Sequence, residues 1–285
     1  MLIQNIRTIA VCGAGTMGSG IAQVAAQSGY RTIQFDVHAG MLEKSSEAIN
    51  KGLEFLVNKG KLSGHEKQEI LSRLTFTDSM DACKADVTIE AIVEKPEVKN
   101  GLFGQLAEIN APDAILASNT SSLSITALQR SVRNPARFAG MHFFNPANIM
   151  KLVEIVKGEQ TSGDTVDTLF ALAKKMGKTP VQCKDAPGFI VNHVARTYYL
   201  EAMHLLEKGY ADIGTIDEVM EATGFKMGPF RLMDLIGMDV NYSVSYQVWE
   251  ALGRPDRLRP SEIQKAKVAA GELGRKSGKG FYTYS

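Results

Sequence analysis

The sequence predicts an α/β domain with a mostly parallel sheet, followed by an all-α domain. Three patterns carry that prediction. Short apolar runs alternate with helical or loop segments through the first part of the chain, and such alternation builds a parallel sheet covered by helices. A glycine-rich turn over Gly13 to Gly18 joins the first apolar run to a helix. After Ala186-Pro187-Gly188 the strand signal gives way to helical spacing, which sets a boundary near Asp185, between residues 1–185 and 186–285.

In chain order, Ile6 to Val11 reads as a short buried strand entered directly from Met1-Leu2-Ile3-Gln4-Asn5. Ser19 to Gln27 is helical, with Ile21, Val24 and Ala25 on one face. Gly29 stops it and Arg31 to Phe35 resumes strand character, so roughly 30 residues make one right-handed βαβ unit. Met41 to Lys61 is a long amphipathic pattern carrying Leu53, Leu56 and Val57 beside Lys51, Lys59 and Lys61. Further strands are expected at Asp86 to Ala91, Ala114 to Ala117, Phe138 to Phe144, Lys151 to Val156 and Thr179 to Val181. Beyond the boundary, Phe189 to Glu207, Ile213 to Ala222, Leu235 to Leu252 and Ser261 to Gly271 read as helices.

Composition narrows the function classes. With 32 Lys and Arg against 31 Asp and Glu, the formal charge is +1, so no global field favours nucleic acid or an anionic membrane. An anionic ligand must then be held by local charges and backbone dipoles. The three cysteines, Cys12, Cys83 and Cys183, are widely spaced, show no C-x-x-C pairing and fit free thiols in a reducing compartment; no metal site is expected. Neither a secretory leader nor a run of eighteen apolar residues occurs, and a cytoplasmic location is the expectation.

Gly13-Ala14-Gly15-Thr16-Met17-Gly18 fits G-x-G-x-x-G directly after an apolar strand and at the start of a helix, the context the motif requires. The first glycine permits the turn, the second admits a pyrophosphate against the backbone, and the third lets helix and strand pack closely. Unpaired N–H groups at the helix start face the phosphates. The first domain is thus expected to be of the Rossmann type. Asp36 ends the second strand, where a carboxylate accepts hydrogen bonds from both adenosine ribose hydroxyls and repels a 2′-phosphate, favouring NAD over NADP; Arg31 and His38 nearby weigh the other way.

Met141-His142-Phe143-Phe144-Asn145-Pro146 places an imidazole among apolar neighbours at a strand end. Twelve residues later Glu154 interrupts the strand Leu152-Val153-Glu154-Ile155-Val156. A carboxylate there is costly without a partner, and a histidine is the obvious one. On residue patterns alone, a lone strand histidine such as His142 is more often a satisfied core residue than a base.

Five ordered segments remove that ambiguity: Gly13 to Gly18, Ser118-Asn119-Thr120-Ser121-Ser122-Leu123, His142 to Pro146, Pro187-Gly188-Phe189-Ile190-Val191-Asn192, and Gly274-Arg275-Lys276-Ser277-Gly278-Lys279-Gly280-Phe281-Tyr282. Together they resemble the 3-hydroxyacyl-CoA dehydrogenase family, in particular its stand-alone bacterial 3-hydroxybutyryl-CoA members, over essentially the whole chain. The resemblance implies that His142 is the general base and Glu154 its support. Ser121 and Asn192 would contact the reacting oxygen or position His142, in a cleft between domains whose closure excludes water. It also implies cofactor contacts from Glu94, Lys99, Asn119, Asn145 and Lys276, with Glu90 a rival to Glu94. Lys51 and Lys59 become candidate contacts for CoA phosphates, and the helical domain becomes a homodimer interface through Ile190-Val191, Val194 and Leu200. Departures from the family pattern are His193, where an arginine is frequent, Pro96, and the residues before Met227-Gly228-Pro229.

Two other readings compete. A 3-hydroxyisobutyrate or 6-phosphogluconate type of dehydrogenase would use a catalytic lysine motif that is not evident here. A non-catalytic nucleotide-binding protein would have no need of His142, Glu154, Ser121 and Asn192 together. Within the acyl-CoA reading, 3-hydroxybutyryl-CoA is the expected substrate and 3-hydroxyadipyl-CoA the alternative; the latter needs a cation for its distal carboxylate.

Overall fold

The computed structural model describes residues 3–284, in two compact units, Met1–Asp185 and Ala186–Ser285 by chain position. Met1 and Leu2, expected to lead into the first strand, lie outside the described residues. Ile3–Asn5 form a 3₁₀ turn, and the first strand starts later than Ile6.

The first unit contains β1 (Thr8–Cys12), α1 (Thr16–Gln27), β2 (Arg31–Phe35), α2 (Ala39–Asn58), α3 (Gly64–Ser72), β3 (Leu74–Thr77) and β4 (Val87–Glu90). It continues with α4 (Pro96–Ile109), β5 (Ile115–Ser118), α5 (Ile125–Gln129), β6 (Phe138–Phe143), β7 (Leu152–Lys157), α6 (Gly163–Lys175) and β8 (Thr179–Lys184). The strands form one eight-stranded sheet in the order β3-β2-β1-β4-β5-β6-β7-β8. Neighbours are parallel except β6 and β7, which run antiparallel. The reversal of strand order on either side of β1 opens a crevice at the carboxyl ends of β1 and β4, where open α/β sheets bind ligands.

Strands β4, β5 and β6 are buried throughout, as central strands covered on both faces must be. Val87, Ile89, Ile115, Ala117, Met141 and Phe143 from these strands join Ile9, Val11, Ile21, Leu53, Leu169 and Leu172 in one core. Strand β3 was not expected, because this edge strand has no fully buried residue to give it an apolar signature. Helix α1 starts three residues before the expected Ser19, taking in Thr16 to Gly18. Pro96 occupies the first turn of α4, where its missing N–H breaks no hydrogen bond.

The second unit is helical: α7 (Val191–Glu207), α8 (Ile213–Ala222), α9 (Pro229–Ile236), α10 (Met238–Ala251) and α11 (Glu262–Ala269). Two expectations change here. The α7 helix begins at Val191 rather than Phe189, because Gly188 and Phe189 take φ values of +73° and +50°. The helix expected over Leu235 to Leu252 begins at Met238 instead; Leu235 and Ile236 end a separate helix, α9, which was not expected, and Gly237 with φ +101° parts the two. Among the described residues no helix is long and apolar enough to cross a membrane.

Candidate active site

The β6–β7 ladder sets His142 directly opposite Glu154. Opposed residues in an antiparallel pair project to the same face with their Cβ atoms close together, so strand register alone delivers one side chain to the other. His142 Nδ1 lies 2.8 Å from Glu154 Oε2, and both residues are buried. A carboxylate accepting at Nδ1 fixes the tautomer with its proton there, leaving Nε2 as the basic nitrogen. The Phe144 ring packs 4.5 Å from the imidazole, centroid to centroid. Phe143 N–H donates to Asn119 Oδ1 at 2.8 Å, tying the end of β6 to the end of β5.

At the carboxyl end of β1 the three motif glycines separate by role. A Cβ on Gly13 would lie 2.4 Å from Ala91 O, and one on Gly18 would lie 1.9 Å from Gly13 O, so both are required by packing. Gly15 differs: its φ of −73° suits any residue, and nothing stands within 4 Å of where its Cβ would be. That opening beside the first turn of α1 is what a pyrophosphate requires. Ala14 and Thr16 flank it and Met17 lies one residue further into α1. Asp36 follows β2 and accepts from Ala14 N at 2.8 Å through Oδ2 and from His38 N at 3.0 Å through Oδ1. Its carboxylate thus borders the glycine turn. Arg31 starts β2 at the far end of the strand, so of the two residues weighed against NAD only His38 is beside Asp36.

A buried charge cluster joins β4, α4 and the loop after β5. Lys99 is not a solvated surface lysine; it is 1% exposed, with Nζ 2.5 Å from Glu90 Oε1 and 3.0 Å from Glu94 Oε2. Glu94 Oε1 accepts from Thr120 Oγ1 at 2.5 Å, Ser121 N at 2.9 Å and Ser122 Oγ at 3.1 Å. Burial alone would push Glu94 up, but Lys99 and these donors together hold it below the ordinary carboxylate range. For Glu90 burial wins over Lys99 and Ser118, and its carboxyl is raised. The sequence reading named Glu94 and Lys99 as cofactor contacts, with Glu90 only as a rival to Glu94, and did not foresee that the three form one buried cluster. The available signal was an acid closing a run of β-branched residues, Val87-Thr88-Ile89, akin to the intrusion that marked Glu154.

The remaining candidates lie on other elements of the two units. Asn145 is exposed and precedes Pro146 across a cis peptide bond. Lys51 is exposed on α2, 3.8 Å from Glu47, and Lys59 follows the last residue of α2 with Nζ 5.6 Å from the Phe55 ring centroid. In the second unit Asn192 is in the first turn of α7, and its carbonyl accepts from the Arg196 Nε–H at 3.0 Å. His193 Nδ1 lies 2.9 Å from Pro187 O. Lys276 is held by both oxygens of Asp239, at 2.5 and 2.7 Å.

Two family models account for nearly the whole chain. Residues 8–186 match the 3-hydroxyacyl-CoA dehydrogenase NAD-binding domain, and residues 188–284 match the C-terminal domain of the same family. The chain belongs to the 3-hydroxyacyl-CoA dehydrogenase family. This is a family of NAD-dependent enzymes, and its nucleotide-binding domain is the first unit here. A 3-hydroxyadipyl-CoA dehydrogenase of Escherichia coli is 46% identical over 98% of this chain and 59% of its own length. A probable 3-hydroxybutyryl-CoA dehydrogenase of Deinococcus radiodurans is 44% identical over 96% of this chain and 99% of its own. This family member thus spans about three-fifths of the first relative and essentially all of the second. Its structure superposes on that of (S)-3-hydroxybutyryl-CoA dehydrogenase from Ralstonia eutropha with a TM-score of 0.94 at 38% identity, covering 99% of this chain and 100% of that one.

Proposed function

We propose that this chain interconverts (S)-3-hydroxybutyryl-CoA and acetoacetyl-CoA, with NAD as hydride carrier. The observation that supports it most is the buried His142–Glu154 pair at 2.8 Å, on the same sheet as a glycine turn whose middle glycine faces open space. NAD, when bound, supplies the hydride acceptor. His142 Nε2 takes the 3-hydroxyl proton, and Glu154 holds the ring and stabilises the imidazolium that results. Ser121 and Asn192 are assigned to the reacting oxygen or to His142, and the stereochemistry follows that of the Ralstonia eutropha enzyme. Glu94, Lys99, Asn119, Asn145 and Lys276 are assigned to the cofactor, and Lys51 and Lys59 to the CoA phosphates. Asp36 is assigned to the ribose hydroxyls, where its charge disfavours NADP.

His142→Ala is expected to lower kcat by about 10² to 10⁴, while NADH affinity read by fluorescence titration is retained. Normal turnover by that variant would remove His142 from the role. The 46% identical relative named for 3-hydroxyadipyl-CoA supports a second reading of the acyl group. Comparing kcat/KM for acetoacetyl-CoA, longer 3-oxoacyl-CoAs and the adipyl compound decides between them.

The helical unit is further proposed to form a homodimer. Its surface carries an apolar groove of about 1030 Å³ whose lining includes Ile190, Val194, Leu205, Phe225 and Leu235. Val194 is 64% exposed and Phe225 51%, more than isolated surface apolar residues explain. Leu200, expected at this face, is instead in the core at 1% exposure.

A further inference from the structure

We propose that Glu90 is a positioning residue for the nucleotide site, acting through Lys99; this rests on the reading of the chain as a dinucleotide-binding dehydrogenase. Glu90 ends β4 with its neighbours in the sheet, Cys12 and Ser118, ending β1 and β5. It therefore stands where the ligand crevice of the sheet opens. Both carboxylate oxygens are committed. Oε1 accepts from Lys99 Nζ at 2.5 Å and from Ile92 N at 2.7 Å, and Oε2 accepts from Ser118 Oγ at 2.6 Å. One side chain thus fixes three pieces of the crevice: the segment after β4, the end of β5, and α4.

The first of these pieces packs on the glycine turn, since Ala91 O is the atom a Cβ on Gly13 would strike. Through the last, Glu90 governs what Lys99 does. With Glu90 gripping one side of a fully buried ammonium, the other side holds Glu94 Oε2, and Glu94 is left with Oε1 to gather Thr120, Ser121 and Ser122. Glu90 is itself fully buried, so it organises the crevice without touching its occupant. A carboxylate placed there only to complete the sheet would need no ammonium; Ser118 and Ile92 could be satisfied by a neutral acceptor.

The test is a double-mutant cycle on NADH affinity, read by fluorescence titration of the intact chain with no acyl-CoA present. Glu90→Gln and Lys99→Met are each expected to weaken NADH about tenfold, the size of one misplaced charge-assisted hydrogen bond. The double variant is expected to be no weaker than Lys99→Met alone, because Glu90 then has nothing to act through. Should Glu90→Gln fail to fold, Glu90→Asp reads the same quantity, keeping the charge but falling one methylene short of Lys99. Wild-type NADH affinity in a folded Glu90 variant, or losses that add in the double variant, would overturn the proposal. Since the readout is nucleotide binding alone, a chain that binds NADH but reduces no 3-oxoacyl-CoA refutes only the proposed reaction. A parent chain that binds no NADH overturns both.

Discussion

Lys178 stands immediately before β8, almost wholly buried, and its Nζ donates to Ala147 O at 2.5 Å and to Met150 O at 2.9 Å. It clasps the loop that joins β6 to β7, and so steadies the connection between His142 and Glu154. Burial, with a smaller contribution from Lys151, lowers its pKa to about 8. Between that value and the ordinary lysine range the unfolded chain holds a proton that the folded chain has released, so stability rises with pH across the window. Below about pH 7 the full penalty applies, on the order of 3 kcal/mol. Urea unfolding between pH 7 and 9.5 should show this slope, and Lys178→Met should lack it. A difference between the two proteins that is flat with pH would contradict the assignment. Residue chemistry of this kind was only partly legible beforehand. His142 and Glu154 announced themselves as polar intrusions in apolar strands, whereas Lys99 and Lys178 look in sequence like any solvated lysine. Their burial comes from long-range packing.

At the level of elements, the β6–β7 ladder converts a spacing in sequence into a contact, and it does so only because β7 runs antiparallel to β6. Apolar runs do not encode strand direction; the short connection after Phe143 does, since a parallel return would need a crossover of a dozen residues or more. The boundary at Gly237 was missed for a related reason: Leu235 and Ile236 read as the start of the helix that follows, whereas the positive φ at Gly237 makes them the end of α9. The C-terminal motif is explained by Asp234 on α9. Its oxygens accept from Phe281 N, Tyr282 N and the Tyr284 hydroxyl, all at 2.9 Å. A Cβ on Gly274 or Gly280 would collide with the same aspartate. The segment Gly274 to Tyr282 is therefore a clamp on α9 as well as the carrier of Lys276. Asp234→Asn presents an amide where two donors converge and should cost about 1–3 kcal/mol for the group left unpaired, measurable as a fall in Tm. An unchanged Tm would show that the clamp contributes little.

Across the whole molecule, the α/β half and the helical half were visible as a switch of hydrophobic period near Asp185. The Rossmann-type order about β1 followed from one βαβ unit and its glycine turn. The eighth strand and the edge strand β3 add to that order without altering where the ligand crevice opens. The proposed pairing of two helical units belongs to this scale. Light scattering should give the mass of two chains for the parent protein and a shift toward one for Val194→Lys, which sets a cation into the apolar groove. A parent chain that runs as a monomer would end the proposal.

The contrast among the three motif glycines bears on how such a chain tolerates change. Gly13 and Gly18 answer to the fold, since a methyl group at either meets backbone; Gly15 answers to something the polypeptide does not itself contain. A library of variants sorted for solubility alone would accept alanine at Gly15 and reject it at the other two. The same library sorted for nucleotide capture would reject it at all three. One six-residue signature thus records two separate selections, and a substitution at its middle glycine would yield an intact protein blind to its cofactor.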